Sequence, residues 1–253
     1  MRRPKVNSEV PTSTEKINEL YDYYVQHEQS VRFAKFGYAL INKIFKPHVS
    51  FETGAEKEIR RLLEEDELSL VLAANHVTNN DHYQLSGAAS ESPALNPLVG
   101  HTDILAKASL FKIVGIRQII DGFGGIPTFR EKEGGNARTA AAVVEASVKR
   151  IEQGRHMAIF PERTNHTQDP TLLMDFKPGI GHIVTRARKR NRETAILPIG
   201  ISYYGDSAKK AEVVVGMPIT DQFVKPGEVV EATREGMQKA LDQASVTTGR
   251  RES

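Results

Sequence analysis

Short apolar runs alternate with amphipathic stretches along most of this chain, and that alternation restricts its fold more than any other feature. The lengths of the runs and their flanking turn residues predict strands at 69–74, 97–100, 125–129, 156–160, 196–203 and 213–215. Apolar residues at helical spacing predict helices at 13–46, 55–65, 81–90, 104–113, 136–153, 180–189 and 231–244. The sequence therefore predicts an α/β fold, a mixed sheet flanked by helices, with an N-terminal helical segment.

The first 50 residues differ in character from the α/β domain predicted at 51–253. Residues 1–12 are polar and predict a frayed tail. Residues 31–45 predict an amphipathic helix rich in aromatic residues and flanked by cations. Two interpretations stay open: this helix lies in a membrane interface, or it packs on the α/β domain.

Composition excludes several classes of function. The chain has 253 residues and no cysteine, which rules out disulfides, cysteine-ligated metals and thiol nucleophiles. A net charge of +2 is too small to indicate a nucleic-acid partner. No secretory signal and no apolar run long enough to span a bilayer are present, so we expect a cytoplasmic protein, free or peripheral on the inner face of the cell membrane. His101 and Asp103 form a His-x-Asp pair without an evident third ligand, so no metal site is predicted.

The segment Asn75-His76-Val77-Thr78-Asn79-Asn80-Asp81 follows the predicted strand at 69–74. His76 and Asp81 can meet only if a turn separates them, since neither a helix nor a strand puts residues at this spacing on one face. The residues between them are those that turns and helix N-caps use. A carboxylate beside an imidazole fixes its tautomer and stabilises the imidazolium, so the pair predicts a general base that activates a substrate hydroxyl. The alternative is a buried, hydrogen-bonded histidine.

Four ordered blocks carry a resemblance to the glycerolipid acyltransferases of the lysophosphatidic-acid acyltransferase family. They are Asn75-His76-x4-Asp81, Gly124-Gly125-Ile126-Pro127-Thr128-Phe129-Arg130, Phe160-Pro161-Glu162, and Ile196-Leu197-Pro198-Ile199-Gly200-Ile201. Two further segments resemble the family between these blocks: Ala106-Lys107-x2-Leu110-Phe111 and Phe176-Lys177-x-Gly179. The third block departs from the family pattern, with Arg163 at the usual glycine and Asn165 at the usual arginine.

The resemblance implies an acyltransferase that moves a fatty-acyl group from acyl-CoA or acyl carrier protein to a lysophospholipid such as 1-acylglycerol 3-phosphate. It implies His76 as general base oriented by Asp81, with no metal or redox cofactor. The implied substrate-binding residues are Lys107, Arg130, Glu162, Arg163 and Lys177. Among these, a guanidinium such as that of Arg130 binds phosphate through two parallel hydrogen bonds.

Several alternatives remain open at this point. Glu162 either accepts hydrogen bonds from the acceptor's hydroxyls or forms a structural ion pair, and Lys177 is equally well a surface lysine. The altered third block permits another acceptor, such as glycerol 3-phosphate or a glycolipid. A non-catalytic membrane-surface binding protein of the same fold is a third possibility. The basic run at 186–192 either contacts anionic lipid or an acyl carrier protein, or is the solvated end of a helix.

Overall fold

The computed structural model describes residues 11, 13–27, 29–65, 67–113, 115–162, 169–205 and 209–250. The strands are β1 (His48–Phe51), β2 (Ser69–Ala74), β3 (Thr102–Lys107), β4 (Gly125–Thr128), β5 (His156–Ile159), β6 (Thr194–Tyr203) and β7 (Ala211–Val215). The helices are α1 (Thr14–Gln26), α2 (Val31–Phe45), α3 (Ala55–Glu64), α4 (Asp81–Glu91), α5 (Ile116–Gly122), α6 (Ala137–Glu152), α7 (Gly179–Lys189) and α8 (Pro226–Thr247).

The strands form one seven-stranded sheet in the order β1-β7-β6-β2-β5-β3-β4. Strands β6, β2, β5, β3 and β4 run parallel to one another, β7 is antiparallel to β6, and β1 is parallel to β7. The sheet is therefore mixed and flanked by helices, which confirms the predicted α/β fold. Because the five parallel strands end at the same edge, the residues that follow them are brought together there.

Apolar side chains cover both faces of the sheet. Strand β2 is an example: Val71 and Ala73 belong to the core under α1, α6 and α7, whereas Leu70 and Leu72 belong to the core under α3 and α4. Successive strand residues point to opposite faces, so a strand covered on both sides is apolar throughout.

The N-terminal helices pack on the rest of the molecule. Ser13 caps α1 and Ser30 caps α2, each by accepting a backbone N–H of the first helical turn. Helix α1 lies against α6, and α2 lies against α4. Two arginines hold the connection between the two helices. Arg150 donates a hydrogen bond to the Val25 carbonyl, and Arg155 donates one to the Gln29 side chain.

Two predictions about secondary structure are wrong. Residues 104–107 belong to strand β3 rather than a helix, because their backbone pairs with β4 and β5. A 3₁₀ turn at Asn96–Leu98 replaces the strand predicted at 97–100. The helical segment predicted at 13–46 consists of two helices, α1 and α2. Strand β1 and helix α5 were not predicted, and the tail predicted at 1–12 lies outside the described residues except for Pro11.

Several basic side chains of the run at 186–192 bond to other residues of the fold. Arg190 pairs with Glu145 and Glu152, and Arg188 donates to the carbonyls of Asp221 and Thr194. Helix α7 ends here, away from the edge where the parallel strands end. Within the described ranges, no helix is long and apolar enough to cross a membrane.

We predict that the stability of the fold falls between about pH 7 and about pH 5 partly because of His156. Its Nδ1 accepts the backbone N–H of Leu70 at 3.0 Å, which requires the neutral ring. Burial, with smaller contributions from His101 and Arg155, lowers the pKa of His156 to about 4. The unfolded chain, with a histidine pKa near 6.5, binds a proton in this range that the folded protein does not, so acid favours unfolding.

Urea denaturation of the wild type and the His156→Asn variant at both pH values measures this effect. Asparagine supplies an oxygen where Nδ1 stood but does not titrate. The variant should lose about 2 kcal/mol less unfolding free energy than the wild type over this pH range. Equal losses in the two proteins would contradict the assignment.

Candidate active site

The chain after β2 is held at the edge of the sheet by Asn75. Its side chain is 1% exposed and forms two hydrogen bonds with the backbone of Ile201: Nδ2 donates to the carbonyl, and Oδ1 accepts the N–H at 2.7 Å. These bonds continue the pairing of β2 with β6 for one more residue. His76 therefore leaves the sheet at a fixed position.

A turn built on Thr78 then reverses the chain. The Thr78 hydroxyl accepts the N–H of Asn80, and the Thr78 N–H donates to the Asp81 carboxylate at 2.9 Å. Helix α4 begins at Asp81, where the positive end of the helix dipole favours a negative charge. The turn and the position of Asp81 in the first helical turn are as the spacing of the motif predicts.

His76 and Asp81 form a hydrogen-bonded pair, with 2.8 Å between the histidine Nδ1 and the aspartate Oδ2. The Asp81 side chain has no exposed surface, and the His76 side chain is 15% exposed. An ionised carboxylate only accepts hydrogen bonds, so the neutral imidazole carries its proton on Nδ1 and its lone pair on Nε2. No residue that the structure describes bonds to Nε2. This atom is therefore free to accept a proton from a substrate.

An aromatic ring, a neutral histidine and a phenol lie beside the pair. The His76 ring lies against Phe160, with 4.7 Å between ring centroids. Burial lowers the pKa of the neighbouring His82 to about 4, so that ring adds no positive charge near neutral pH. At its other oxygen, Asp81 accepts a hydrogen bond from the hydroxyl of Tyr203, at the end of β6.

Glu162 follows β5, the strand next to β2, and is 4% exposed. One carboxylate oxygen accepts the N–H of His76 at 2.9 Å, and the other accepts the N–H of Met174 at 2.8 Å. Glu162 thus joins the histidine loop to the segment that leads into α7. This geometry favours a positioning role through backbone amides over the predicted contact with acceptor hydroxyls.

Lys107 and Arg130 lie farther along the same edge, at the ends of β3 and β4. Strands β5 and β3 lie between β2 and β4, and neighbouring strands are about 4.8 Å apart. The backbone of Arg130 therefore lies about 14 Å from the end of β2. Glu133 connects the two residues: its carboxylate lies 4.0 Å from the Lys107 ammonium and accepts the backbone N–H of Arg130. Among the described residues, the Arg130 guanidinium has no hydrogen-bonding partner.

Of the other two predicted substrate-binding residues, the structure describes only Lys177. The Lys177 side chain is exposed, while its backbone N–H donates to the Pro161 carbonyl. Arg163 and the rest of the altered block at 163–168 lie outside the described residues. Asp103 binds Arg150 and Arg155, and no group of three or more His, Asp or Glu side chains in the described ranges could hold a metal ion.

Sequence reasoning placed Thr78 in the turn between His76 and Asp81 but gave no role in holding the pair to Asn75 or Tyr203. Asn75 stands inside the motif itself, where its side-chain chemistry was the available signal. Tyr203 is 122 residues from Asp81 along the chain, and no local pattern connects the two.

Comparison with known proteins decides the family. The model of the acyltransferase family matches residues 53–202, more than half of the chain. The chain belongs to the glycerolipid acyltransferase family. The matched segment of this acyltransferase contains the His76–Asp81 pair, Arg130 and Glu162. No curated protein matches the chain. Family membership makes acyl transfer its activity, with an acyl donor and a lipid acceptor as substrates.

We predict that Glu162→Gln lowers both the melting temperature and kcat of the acyltransferase. Glutamine keeps one acceptor oxygen but turns an NH₂ group toward one of the two backbone N–H donors. Leaving a buried donor unsatisfied costs about 1–3 kcal/mol of unfolding free energy. A melting curve together with a kinetic assay measures both effects.

Glu212→Gln is the matched control. Glu212 is also buried, at 1% exposure, and accepts hydrogen bonds from Ser50 and Tyr204 at the far side of the sheet. This variant should lose stability without losing kcat. If Glu162→Gln instead raised KM for the acceptor at unchanged stability, Glu162 would be a substrate-binding residue.

Proposed function

We propose that this acyltransferase moves a fatty-acyl group from acyl-CoA or acyl carrier protein to a hydroxyl of a lysophospholipid such as 1-acylglycerol 3-phosphate. The observation that carries the proposal is the His76–Asp81 pair, whose Nε2 is unbonded within the described residues. Its position at a sheet edge that also presents Arg130 and Lys107 adds support. Phosphate on the acceptor fits these two cations.

In the proposed reaction, Nε2 of His76 takes the proton of the acceptor hydroxyl as its oxygen attacks the thioester carbonyl carbon. The resulting imidazolium is stabilised by Asp81 at its Nδ1–H. When the tetrahedral intermediate collapses, the C–S bond breaks and the leaving sulfur takes the proton from Nε2. The ester product and a free thiol result, and His76 returns to its starting state. This route uses no enzyme-bound acyl group, metal or redox cofactor.

The acceptor's headgroup is the less constrained part of the proposal. Arg130 would clamp a phosphate, with Lys107 adding a second positive charge. The altered third block, with Arg163 and Asn165 in place of the family's glycine and arginine, permits glycerol 3-phosphate or a glycolipid as the second candidate acceptor. A non-catalytic binding protein is disfavoured, because the fold holds the His76–Asp81 pair in hydrogen-bonding geometry.

We predict that His76→Ala abolishes acyl transfer and that Asp81→Asn removes most of it. Histidine supplies the base, and an amide in place of the aspartate would no longer stabilise the imidazolium. The measurement is release of free thiol and formation of acylated lipid, with an acyl-CoA donor and a panel of phosphorylated and unphosphorylated acceptors. Near wild-type turnover by His76→Ala would refute the mechanism.

The same panel tests the phosphate site through Arg130→Ala. Loss of a charge-assisted contact should raise KM for a phosphorylated acceptor about tenfold or more, with little change for the acyl donor. Arg60→Ala is the matched control, since that surface arginine on α3 already pairs with Glu56, and it should leave both KM values unchanged. Equal effects of Arg130→Ala on donor and acceptor would make Arg130 structural or the acceptor unphosphorylated.

A lipid acceptor must be reached at a membrane, and α2 offers a surface for this. One side of α2 packs on the domain: Ala34 is buried, and Phe45 stacks on Tyr83. The other side exposes an apolar stripe, which consists of Phe36 at 72% exposure, Leu40 at 51% and Ile44 at 53%. One side of the helix thus packs on the domain, and the exposed stripe on its other side supports the proposal of a membrane contact.

The position and charge of this stripe fit an anionic membrane surface. Ile44 neighbours Phe45, whose partner Tyr83 is two residues beyond Asp81, so the stripe ends close to the catalytic pair. Four cations flank it without an ion pair to any described residue: Arg32, Lys35, Lys43 and Lys46. Apolar insertion and attraction to acidic lipids are the two contributions that interfacial helices use. We propose that the protein docks this way on the inner face of the cell membrane.

We predict that the wild type co-sediments with anionic phospholipid vesicles and that Phe36→Ser/Leu40→Ser/Ile44→Ser does not. Binding should weaken in high salt without vanishing, because salt screens only the electrostatic contribution. The triple variant should melt at or above the wild-type temperature, since the three side chains are exposed.

Two control proteins accompany this test. Val224→Ser/Val246→Ser removes exposed apolar side chains elsewhere, at 73% and 38% exposure, and should still bind. Phe45→Ser should lower the melting temperature, because Phe45 packs on Tyr83. Wild-type protein that stays in solution with vesicles would contradict the docking proposal.

A further inference from the structure

Tyr203 ends β6 and brings a phenol hydroxyl into the hydrogen bonds around Asp81. The side chain is nearly buried, with the residue 5% exposed. Its hydroxyl donates to Oδ1 of Asp81 at 2.5 Å. The Thr78 hydroxyl lies 2.9 Å from the phenol oxygen and 3.1 Å from the same Oδ1.

The charge of Asp81 explains why such a donor matters. Its side chain has no exposed surface, and no lysine or arginine in the described residues pairs with it. A buried charge without an opposite charge must be stabilised by hydrogen-bond donors. Oδ2 accepts from His76 and from the Thr78 N–H, which leaves Oδ1 to the two hydroxyls.

Tyr203 is suited to be a permanent donor. Burial, followed by the negative charge of Asp81, raises the pKa of its phenol well above the usual value. The group therefore keeps its proton at any pH at which the enzyme works. With Oδ1 held by Tyr203, the carboxylate cannot rotate, and Oδ2 stays aimed at His76.

We propose that Tyr203 is a positioning residue for acyl transfer. It fixes the orientation of the Asp81 carboxylate and limits how strongly that carboxylate stabilises the His76 imidazolium. The inference rests on the proposed function of the His76–Asp81 pair. A hydrogen bond to one oxygen withdraws negative charge from the other, so the imidazolium is held less tightly. His76 then releases its proton to the leaving thiol more readily, and is free as a base at lower pH.

The first test is the pH–rate profile of Tyr203→Phe, measured with a donor and acceptor that the wild type turns over. Near neutral pH, kcat should fall about tenfold, the scale expected for one hydrogen bond to a charged group, with KM for both substrates within about twofold. The acidic limb of the profile should move to higher pH. A fall of equal size at every pH, with the limb unmoved, would show a merely structural role and overturn the inference.

Tyr204→Phe is the matched control. Tyr204 is the next residue, and its hydroxyl also donates to a carboxylate, that of Glu212 at 3.0 Å, on the far side from the catalytic pair. This variant loses the same kind of bond and should keep the wild-type profile. A shift of the acidic limb as large as that of Tyr203→Phe would overturn the inference.

A proton NMR spectrum of the intact protein is a second test, and it requires no turnover. The Nδ1 proton shared by His76 and Asp81 should resonate far downfield, and its assignment follows from its loss in His76→Ala. Tyr203→Phe should move this resonance and Tyr204→Phe should not; an unmoved resonance in Tyr203→Phe would overturn the inference.

The two proposals fail in different ways. An active His76→Ala protein would overturn the proposed function itself. An inactive His76→Ala protein, together with a wild-type profile in Tyr203→Phe, would overturn only the role of Tyr203.

Discussion

The carboxylate of Asp81 is a negative charge with no exposed surface, and within the described part of the chain it has no lysine or arginine beside it. Such a group is stable only where hydrogen-bond donors replace water. The donors come from the histidine loop, from the turn at Thr78 and from the end of β6. One carboxylate thus fixes the loop after β2 and the end of β6 relative to the start of α4, and Nε2 of His76, unbonded within the described residues, points away from Asp81 as a result.

The parallel strands explain why binding groups collect beside this carboxylate. Strands β2, β5, β3 and β4 end at one edge in that spatial order, which places His76, Glu162, Lys107 and Arg130 in sequence along it. The first two residues are tied to each other through a backbone amide, and the last two through Glu133. A rigid proton-accepting end and a cationic end suit an acceptor that carries a hydroxyl at one position and a phosphate at another.

Much of this arrangement follows from local sequence patterns. The strand at Ser69–Ala74, the turn after it and the start of α4 are each specified by neighbouring residues, and so they were predictable. Strand β3 was not, because Leu105 and Ala106 also suit a helix and only pairing with β4 and β5 decides the outcome. Strand β1 is short, and its pairing with β7 is equally invisible in local sequence.

The contacts of the candidate site also divide into local ones, which the sequence predicts, and long-range ones, which it does not. His76 and Asp81 are five residues apart, whereas the bonds of Glu162 to His76 and of Tyr203 to Asp81 span 86 and 122 residues. A single sequence carries no signal for such contacts. For this reason, the bonds of Glu162 to backbone amides were not predicted, and Tyr203 was not singled out.

The central claim is that the acceptor's own hydroxyl attacks the acyl thioester, with His76 taking its proton. Intact-mass spectrometry tests this most directly: the protein is incubated with an acyl-CoA thioester alone, and then with the acceptor added. Direct transfer predicts an unmodified protein mass before the acceptor is added, and acylated lipid with release of free thiol only afterwards. A protein that gains the mass of one acyl group from the thioester alone, and passes it on to the acceptor, would contradict the account.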